Sequence, residues 1–157
     1  MGFFQYFEDF QKGATYRHRP GRTLTESDDS FFSLLTMNHN PLCIDRGLGP
    51  QGPQVQHPVA GPLVFSTAVG LSVPDFKGAS IASLGYDEIR QLAPVFHGDT
   101  IFAETTVLEL KELQSRPDRG IVQVETTVRN QRDEVVLTFR RQVLVPRKGR
   151  TAEDHLK

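Results

Sequence analysis

Residues 61–73 read GPLVFSTAVGLSV and form the longest apolar segment of the chain. Pro62 suits the first turn of a helix, where its missing N–H would be unpaired in any case. Because the segment is apolar all round, it predicts a helix that is buried on most of its sides and ends at Pro74. It falls well short of the roughly 20 residues that a bilayer-spanning helix needs.

The second half of the chain changes to the alternating pattern of half-buried strands. The predicted strands cover residues 79–86, 99–113, 120–129 and 135–145, and hairpin connections are predicted at residues 115–120 and 130–133. One buried helix followed by an antiparallel meander predicts an α+β fold of the hot-dog type, in which the sheet wraps around the central helix. An α+β sandwich of another kind would show the same pattern.

A shorter helix is predicted to end near Asn38. Thr25 is a suitable N-cap, and Asp28 follows it at the capping-box spacing. The apolar residues that come next recur at near-helical spacing, and we expect them to form the buried face of this helix. They are Phe31, Phe32, Leu34 and Leu35. Residues 46–58 are rich in glycine and proline and predict a long loop.

Composition indicates a globular protein with a single domain. The chain has 157 residues, 38% hydrophobic and 24% charged, with a formal net charge of −1. Such a charge provides no general field for nucleic acid or an anionic membrane, so neither is expected as a partner. Residues 1–150 are assigned to the domain and residues 151–157 to a polar C-terminal tail.

The cysteine content and the N-terminal residues indicate where in the cell the protein is expected. Cys43 is the only cysteine, so an intrachain disulfide is excluded and a reducing, cytoplasmic setting is expected. Residues 1–10 carry acids rather than a basic segment, which argues against a secretory signal.

Residues 36–45 read TMNHNPLCID and resemble the catalytic loop of the MaoC-like, (R)-specific enoyl-CoA hydratases. In that family an Asp stands two residues before the Asn-Pro pair and a His two residues after the proline. Asn38 and Cys43 occupy these positions here. Three further segments are similar to the family, in the same order along the chain. They are GRTLTESD at residues 21–28, VAGPL at residues 59–63 and PVFHGDT at residues 94–100.

The resemblance implies a hot-dog domain that dimerises through its sheets, as a homodimer, a dimer of dimers or a heteromer with a second hot-dog protein. It also implies an acyl thioester ligand, in which coenzyme A or phosphopantetheine is part of the substrate, with no separate cofactor and no metal. The thioester carbonyl would meet backbone amides near Gly61 and Pro62, at the positive end of the central helix. Asn40 and Asp45, which match the family loop, are assigned to substrate binding.

Hydration of an enoyl thioester needs a base for the water, a proton for the α-carbon and stabilisation of the enolate. Asn38 can hold water or a carbonyl, but it cannot exchange a proton. Cys43 can exchange one, and His39 and His57 are the alternative bases. Each of these residues also has an ordinary structural interpretation, as a solvent-facing histidine or a small buried thiol.

These residues predict a hydratase or dehydratase that acts on enoyl or β-hydroxyacyl thioesters. The TMN run at residues 36–38 also resembles a branch of the family linked to short branched dicarboxylyl-CoA substrates, of the mesaconyl or itaconyl type. Arg22, Arg46 and Arg90 are candidates to hold the extra carboxylate. The alternative function is a catalytically degenerate hot-dog subunit that binds a thioester or supports a catalytic partner. A hot-dog thioesterase is less favoured, because residues 61–73 contain no acid.

Overall fold

A curved antiparallel sheet wraps one central helix in the computed structural model of the chain, which describes residues 6–41, 45, 56–76 and 81–148. The helices used below are α1 (Glu26–Thr36) and α2 (Gly61–Ser72), with short 3-10 turns at Phe7–Asp9 and Val73–Phe76. The strands are β1 (Thr15–Arg17), β2 (Arg22–Thr23), β3 (Ala82–Gln91), β4 (Thr100–Glu112), β5 (Arg119–Arg129) and β6 (Val135–Pro146).

The strands are hydrogen-bonded in the order β1-β4-β5-β6-β3, and β2 pairs with the first residues of β4. All of these pairings are antiparallel. Strand β3 therefore lies at one edge of the sheet, and within the described residues only β6 pairs with it. The single hot-dog domain predicted from the sequence pattern is confirmed.

Helix α2 supplies the centre of the hydrophobic core. Its residues Leu63, Val64 and Ala68 are buried against apolar side chains of the sheet. The sheet residues of this cluster are Ile101, Val128, Val136, Leu137 and Phe139. The exposed residues of α2 are Pro62, Ser66 and Gly70, which follow one another at the four-residue spacing of a single helix face. The prediction of a helix buried on most of its sides is thus confirmed.

Pro74 follows the last residue of the α-helix by two positions, so the helix ends where the sequence pattern predicted. The proline itself lies inside the 3-10 turn Val73–Phe76, which continues directly from α2. A proline near the start of a new turn is tolerated, because the N–H that it lacks would have no partner there. The turn carries Phe76 into the second hydrophobic cluster of the core.

Strands β4, β5 and β6 match the predicted strands to within one residue at each end. The prediction for β3 was too short, since residues 79–86 were predicted and the strand covers Ala82–Gln91. Its pairing with β6 shifts register between Asp87 and Arg90, and Glu88 has a positive φ of 49°. Such a bulge interrupts the alternation from which a strand is predicted, which explains the missed half.

Helix α1 begins at the predicted cap but buries the opposite face. The Thr25 hydroxyl accepts the Asp28 amide, and the Asp28 carboxylate accepts the Thr25 amide, which completes the capping box. The predicted apolar face is wrong: Phe31, Leu34 and Leu35 are 64%, 78% and 69% exposed, and Phe32 is only partly buried. The buried residues of α1 are instead Asp29 and Ser33.

A buried polar cluster lies beyond the C-terminal end of α2. His18 is buried and is hydrogen-bonded through Nδ1 to the carboxylate of Asp75. Its Nε2 lies 2.7 Å from Oγ1 of Thr105. The guanidinium of Arg141, also buried, stacks on the ring of Phe76 at 4.7 Å. These polar groups are packed between the sheet and the 3-10 turn.

Several predictions fall outside the described residues. They concern Cys43, Arg46, most of the loop at residues 46–58 and the tail at residues 151–157. Among the helices that the structure describes, none combines the length and the apolar character of a bilayer-spanning segment.

Candidate active site at the start of the central helix

A cleft of about 480 Å³ opens at the start of α2. One wall is formed by the end of α1 and the residues after it, and the other by the first residues of α2. Among the described residues, its lining consists of Phe32, Thr36, Asn38, Asn40, Ala60, Gly61 and Pro62. Four residues predicted for the site, Asn38, Asn40, Gly61 and Pro62, are therefore brought together in a cleft whose volume suits an acyl group.

The backbone amides at the start of α2 leave one free donor. The Ala60 N–H donates to Oδ1 of Asp29 at 3.2 Å. The two amides that follow Pro62 both donate to the carbonyl of Ala60, at 2.9 and 3.2 Å. Pro62 itself has no N–H. The N–H of Gly61 has no acceptor among the described residues, so it is the amide that remains for a ligand.

The N–H of Gly61 lies at the positive end of the α2 dipole, and the Asp29 carboxylate, bound to the preceding amide, places a negative group nearby. The first turn of α2 contains no acidic residue. The positive end of the helix dipole is therefore not neutralised from within α2 itself. A carbonyl oxygen bound to this amide would be stabilised as it becomes an enolate oxygen.

The side chain of Gln91, at the end of β3, lies directly beside Gly61. A β-carbon built on Gly61 would be 2.3 Å from Oε1 of Gln91, which is closer than real β-carbons approach other atoms. Glycine is thus required at this position for as long as the Gln91 carboxamide keeps its place. The atom that approaches Gly61 so closely therefore belongs to the protein itself.

The opposite wall presents the side chain of Asn38. Met37 ends α1 in the left-handed conformation, with φ 55°, and the Asn38 N–H then donates to the carbonyl of Ser33 at 3.0 Å. The Asn38 side-chain oxygen accepts the N–H of Asn40 at 3.4 Å. The side-chain oxygen thus faces its own loop, and the NH₂ group, which has no acceptor among the described residues, can donate to water or substrate.

The structure does not bring the other described candidates into the lining of the cleft. His39 is exposed, and Asp45, also exposed, donates its backbone N–H to the carbonyl of Pro41 at 2.8 Å. The ring of His57 is stacked on that of His97, with the centroids 6.5 Å apart. Cys43 lies outside the described residues.

No described residue that lines the cleft has an ionisable side chain. The cleft as described can therefore bind and polarise a carbonyl, and can hold a water molecule through amides. Proton transfer needs a group from elsewhere in the chain or from a partner.

Two residues near the cleft were missed by the sequence reasoning, namely Asp29 and Gln91. Asp29 was missed because a polar stripe on a helix is normally its solvent face. Gln91 was missed because it lies in the part of β3 beyond the bulge. The only sequence signal for Asp29 is the four-residue spacing that it shares with Ser33, which places the two on one face of α1.

Comparisons with known proteins identify the family of the chain. The sequence model of the mesaconyl-CoA hydratase family matches residues 3–156. Mesaconyl-CoA hydratase from Cereibacter sphaeroides is 34% identical over 148 residues, which are 94% of this chain and 43% of that protein. The chain spans less than half the length of the curated mesaconyl-CoA hydratases that it matches.

Solved structures show the same fold. The monoamine oxidase regulatory protein from Archaeoglobus fulgius superposes with a TM-score of 0.81 at 32% identity, covering 91% of this chain and 95% of that one. A MaoC domain protein dehydratase from Chloroflexus aurantiacus gives a TM-score of 0.76 at 34% identity, over 91% of this chain and 40% of that one. Together with the family match, these similarities show that the chain belongs to the mesaconyl-CoA hydratase family of MaoC-like hot-dog proteins.

Proposed function

We propose that this chain adds water to, or removes it from, the carbon–carbon bond next to the carbonyl of a small acyl-CoA thioester. The observation that carries the proposal is the N–H of Gly61, which has no acceptor among the described residues and lies in the same cleft as Asn38, at the positive end of α2. The family to which the chain belongs is named for such a reaction.

In the proposed reaction the thioester carbonyl accepts the N–H of Gly61. Charge grows on this oxygen as the enolate forms, and the amide binds the enolate more strongly than it binds the ground-state carbonyl. Asn38 holds the attacking water through its side-chain NH₂ group. This role needs no proton exchange, so it is compatible with an amide where most MaoC-like hydratases carry a carboxylate.

Cys43 is the proposed proton carrier. Its thiolate would accept a proton from the water as the water oxygen bonds to the β-carbon, and the resulting thiol would pass a proton to the α-carbon. One water is thereby added across the double bond, and the reverse sequence removes it. The sequence position of Cys43, five residues after Asn38 in the family loop, supports this assignment.

The proposed substrate is a short branched dicarboxylyl-CoA such as mesaconyl-CoA, because the similar protein from Cereibacter sphaeroides carries that name. A second carboxylate would need a cation. Arg22 is already paired with Asp28 at 2.8 Å, and Arg90 lies 3.9 Å from Glu88. Arg90, which is the more weakly paired of the two, is the better candidate.

The alternative function is a subunit that binds a thioester without turning it over. The observation that favours it is the absence of an ionisable side chain from the described lining of the cleft. In that case a catalytic partner would provide the proton carrier, and this chain would contribute the helix amide.

Activity measurements separate the two functions. The purified chain is incubated with mesaconyl-, itaconyl- and crotonyl-CoA, and the absorbance of the enoyl thioester is followed. We expect loss of absorbance, fastest with mesaconyl-CoA, and a decrease in kcat of about 100-fold or more for Cys43→Ala, which removes the proton carrier. Cys43→Ser is the matched control for side-chain volume and should be almost as slow, because a serine hydroxyl is a much weaker acid.

Two results would contradict the proposed reaction. Binding of the thioesters without turnover would favour the subunit function. Full activity of both Cys43→Ala and Asn38→Ala would exclude the proton transfer described above, even if the chain is a hydratase.

We also propose that the chain forms a homodimer through the edge of its sheet. The exposed side chains of β3 include Leu84, Tyr86 and Ile89, which are 50%, 39% and 49% exposed. Its outer edge has no neighbour among the described strands. An exposed edge strand with apolar side chains invites pairing with a second strand.

The apolar face of α1 belongs to the same proposed interface. Phe31, Leu34 and Leu35 form this face and are largely exposed. Helix α1 lines the cleft through Thr36, and the end of β3 lies beside the cleft residue Gly61 through Gln91. A second copy that covers both surfaces would also close the cleft from solvent, which strengthens the electrostatic effect of the Gly61 amide.

Light scattering tests the homodimer. We expect the mass of two chains for the wild type, and of one chain for Leu84→Glu combined with Ile89→Glu. Val73→Glu changes an exposed apolar residue outside both surfaces and should remain dimeric. A wild-type monomer that associates only with a second, co-expressed hot-dog protein would overturn the homodimer in favour of a heteromer.

A further inference from the structure

Asp29 is a buried carboxylate with two partners from distant parts of the chain. Its side chain is 1% exposed. Oδ1 accepts the N–H of Ala60 at 3.2 Å, and Oδ2 lies 3.0 Å from Nε2 of His97. Asp29 thus links α1 to the first residues of α2 and to the turn between β3 and β4. A buried carboxyl group needs such partners to compensate for lost hydration.

From this geometry we infer that Asp29 is a positioning residue, which holds the two walls of the cleft at a defined separation and directs the Gly61 amide toward the ligand. The inference rests on the proposed function, in which that amide binds the thioester carbonyl. Asp29 does not line the cleft and is not assigned any contact with substrate.

The two hydrogen-bonded residues belong to the two parts of the chain that form the opposite walls. Asp29 belongs to α1, whose end carries Thr36 and leads into Asn38, and Ala60 immediately precedes Gly61. The bond from Ala60 to Asp29 therefore sets the distance from the Asn38 side chain to the Gly61 amide. The same bond gives the N–H of Ala60 an acceptor within the protein. A ligand therefore meets a single donor, the N–H of Gly61, in a fixed orientation.

His97 holds the carboxylate of Asp29 from the other side. The backbone N–H of His97 donates to the carbonyl of His57 at 3.2 Å, and the N–H of Val59 donates to the carbonyl of Val95 at 2.7 Å. These bonds fasten the segment before α2 to the turn that carries His97. The imidazole is therefore a fixed partner for Oδ2, as second-layer groups are in other sites where orientation matters.

The neighbouring Asp28 provides a matched control. It lies in the same turn of α1, caps the helix through the Thr25 amide and pairs with Arg22. It has no recorded contact with Ala60 or His97 in the described structure. Removal of Asp28 should weaken α1 without releasing the wall of the cleft, so a general loss of stability can be separated from a loss of positioning.

Steady-state kinetics with mesaconyl-CoA test the inference. We expect Asp29→Ala to lower kcat by about 10- to 100-fold, because the reacting groups lose their alignment, with KM changed less than about threefold. Asp29→Asn retains an acceptor for the Ala60 amide and should recover about tenfold of that loss. Asp28→Ala, measured well below its melting temperature, should keep kcat within about threefold of the wild type.

Ala60→Pro is a second variant that does not depend on the folding of Asp29→Ala. Ala60 has φ −55°, which the proline backbone adopts; the ring takes the place of the donated hydrogen, so the substitution deletes the N–H and displaces Oδ1 of Asp29 from it. It should reproduce the loss of kcat. Full activity of Ala60→Pro would overturn the inference, as would equal losses of kcat for Asp29→Ala and Asp28→Ala.

Hydrogen exchange separates this inference from the proposed function. In the wild type and in Asp29→Asn the Ala60 amide should exchange slowly, and in Asp29→Ala at least about tenfold faster, whereas Asp28→Ala should leave it slow. If the wild type turns over no thioester, the proposed hydratase reaction fails, and this exchange pattern still decides whether Asp29 holds the start of α2. An Ala60 amide that exchanges equally fast in all four proteins would overturn the positioning role.

Discussion

Gln91 of β3 fills the space that a side chain at Gly61 would occupy. Oε1 of Gln91 lies 2.3 Å from the position of a β-carbon on Gly61. The carboxamide is the far end of a flexible side chain, so a larger residue at position 61 would displace it rather than prevent folding. The contact joins the edge of the sheet to the only free amide in the described first turn of α2. Changes at either residue should therefore affect the cleft more than the stability of the fold.

Gly61→Ala should lower kcat by about tenfold without reducing the free energy of unfolding. Alanine is the better helix former by about 1 kcal/mol, which offsets the cost of moving Gln91. The displaced side chain and the new methyl group crowd the amide that is proposed to bind the thioester carbonyl. Steady-state kinetics and urea denaturation of the same preparation check both expectations.

The matched control for this substitution is Gly61→Ala combined with Gln91→Ala. If the displaced carboxamide causes the loss, kcat of the double variant should be at least about threefold higher than kcat of Gly61→Ala. Such a gain would show coupling between two residues in direct contact. Additive losses would show that the methyl group itself obstructs the amide.

The sequence predicted those elements whose contacts are with residues close in sequence, or whose hydrophobic pattern is the same on every side. Helix α2 is apolar on all sides, so its burial did not depend on knowing its neighbours. Helix α1 was placed correctly by its cap, but its buried face was not predicted. The partners of Asp29 are 31 and 68 residues away, and no local periodicity reports that a carboxylate will find an amide and an imidazole there.

The site was predicted to a similar extent. The loop motif and the start of α2 located Asn38 and Gly61, since both belong to short contiguous segments. Gln91 and Asp29 reach the same region through tertiary packing, which only the structure reveals. The exposed apolar face of α1 misled the prediction for a related reason, because its periodicity is the same as that of a face that meets the core.

Acid should destabilise the fold through His18. Burial, the largest effect, lowers the pKa of His18, and the nearby Arg141 charge acts in the same direction against the opposing influence of Asp75. Because the unfolded chain then binds a proton more readily, the stability contributed by neutral His18 is complete above pH 6.5 and is lost as the pH falls below it. Urea denaturation should show a slope of at most about 1.4 kcal/mol per pH unit from this one group.

His18→Gln provides the control for that pH dependence. It should be less stable than the wild type near neutral pH, by roughly 1–3 kcal/mol, because the buried hydrogen bonds to Asp75 and Thr105 are disturbed. Its stability should be nearly independent of pH just below 6.5, where the wild type loses stability. The carboxyl groups of Asp28 and Asp99 have lowered pKa values. Their effect on stability therefore falls in a separate and more acidic pH range, below their ordinary pKa of 3.8. An equal slope in both proteins just below pH 6.5 would refute the role of His18.

Thr25→Ala should cost about 1 kcal/mol of unfolding free energy. The Thr25 hydroxyl accepts the Asp28 amide at 3.2 Å, and its loss leaves one donor of the first turn of α1 without that partner. Ser27→Ala, at an exposed position in the same turn, is the matched control and should change stability by less than about 0.5 kcal/mol. Equal effects of the two substitutions, measured by urea denaturation, would show that the cap contributes little.

Introduction of the Asp and His that the resemblance to MaoC-like hydratases places at positions 38 and 43 should broaden the substrate range. We expect Asn38→Asp combined with Cys43→His to raise the rate of crotonyl-CoA hydration by about tenfold or more, since a carboxylate and an imidazole together provide the base and the acid. Either substitution alone should give a much smaller gain, because residues that act as a unit are strongly non-additive. The measurement is the initial loss of enoyl absorbance, with the melting temperature as a check on folding. A double variant that folds normally and gains no activity would mean that the cleft differs from those hydratases in shape, beyond the two side chains, and that the Asn38 and Cys43 pair is suited to a different acyl group.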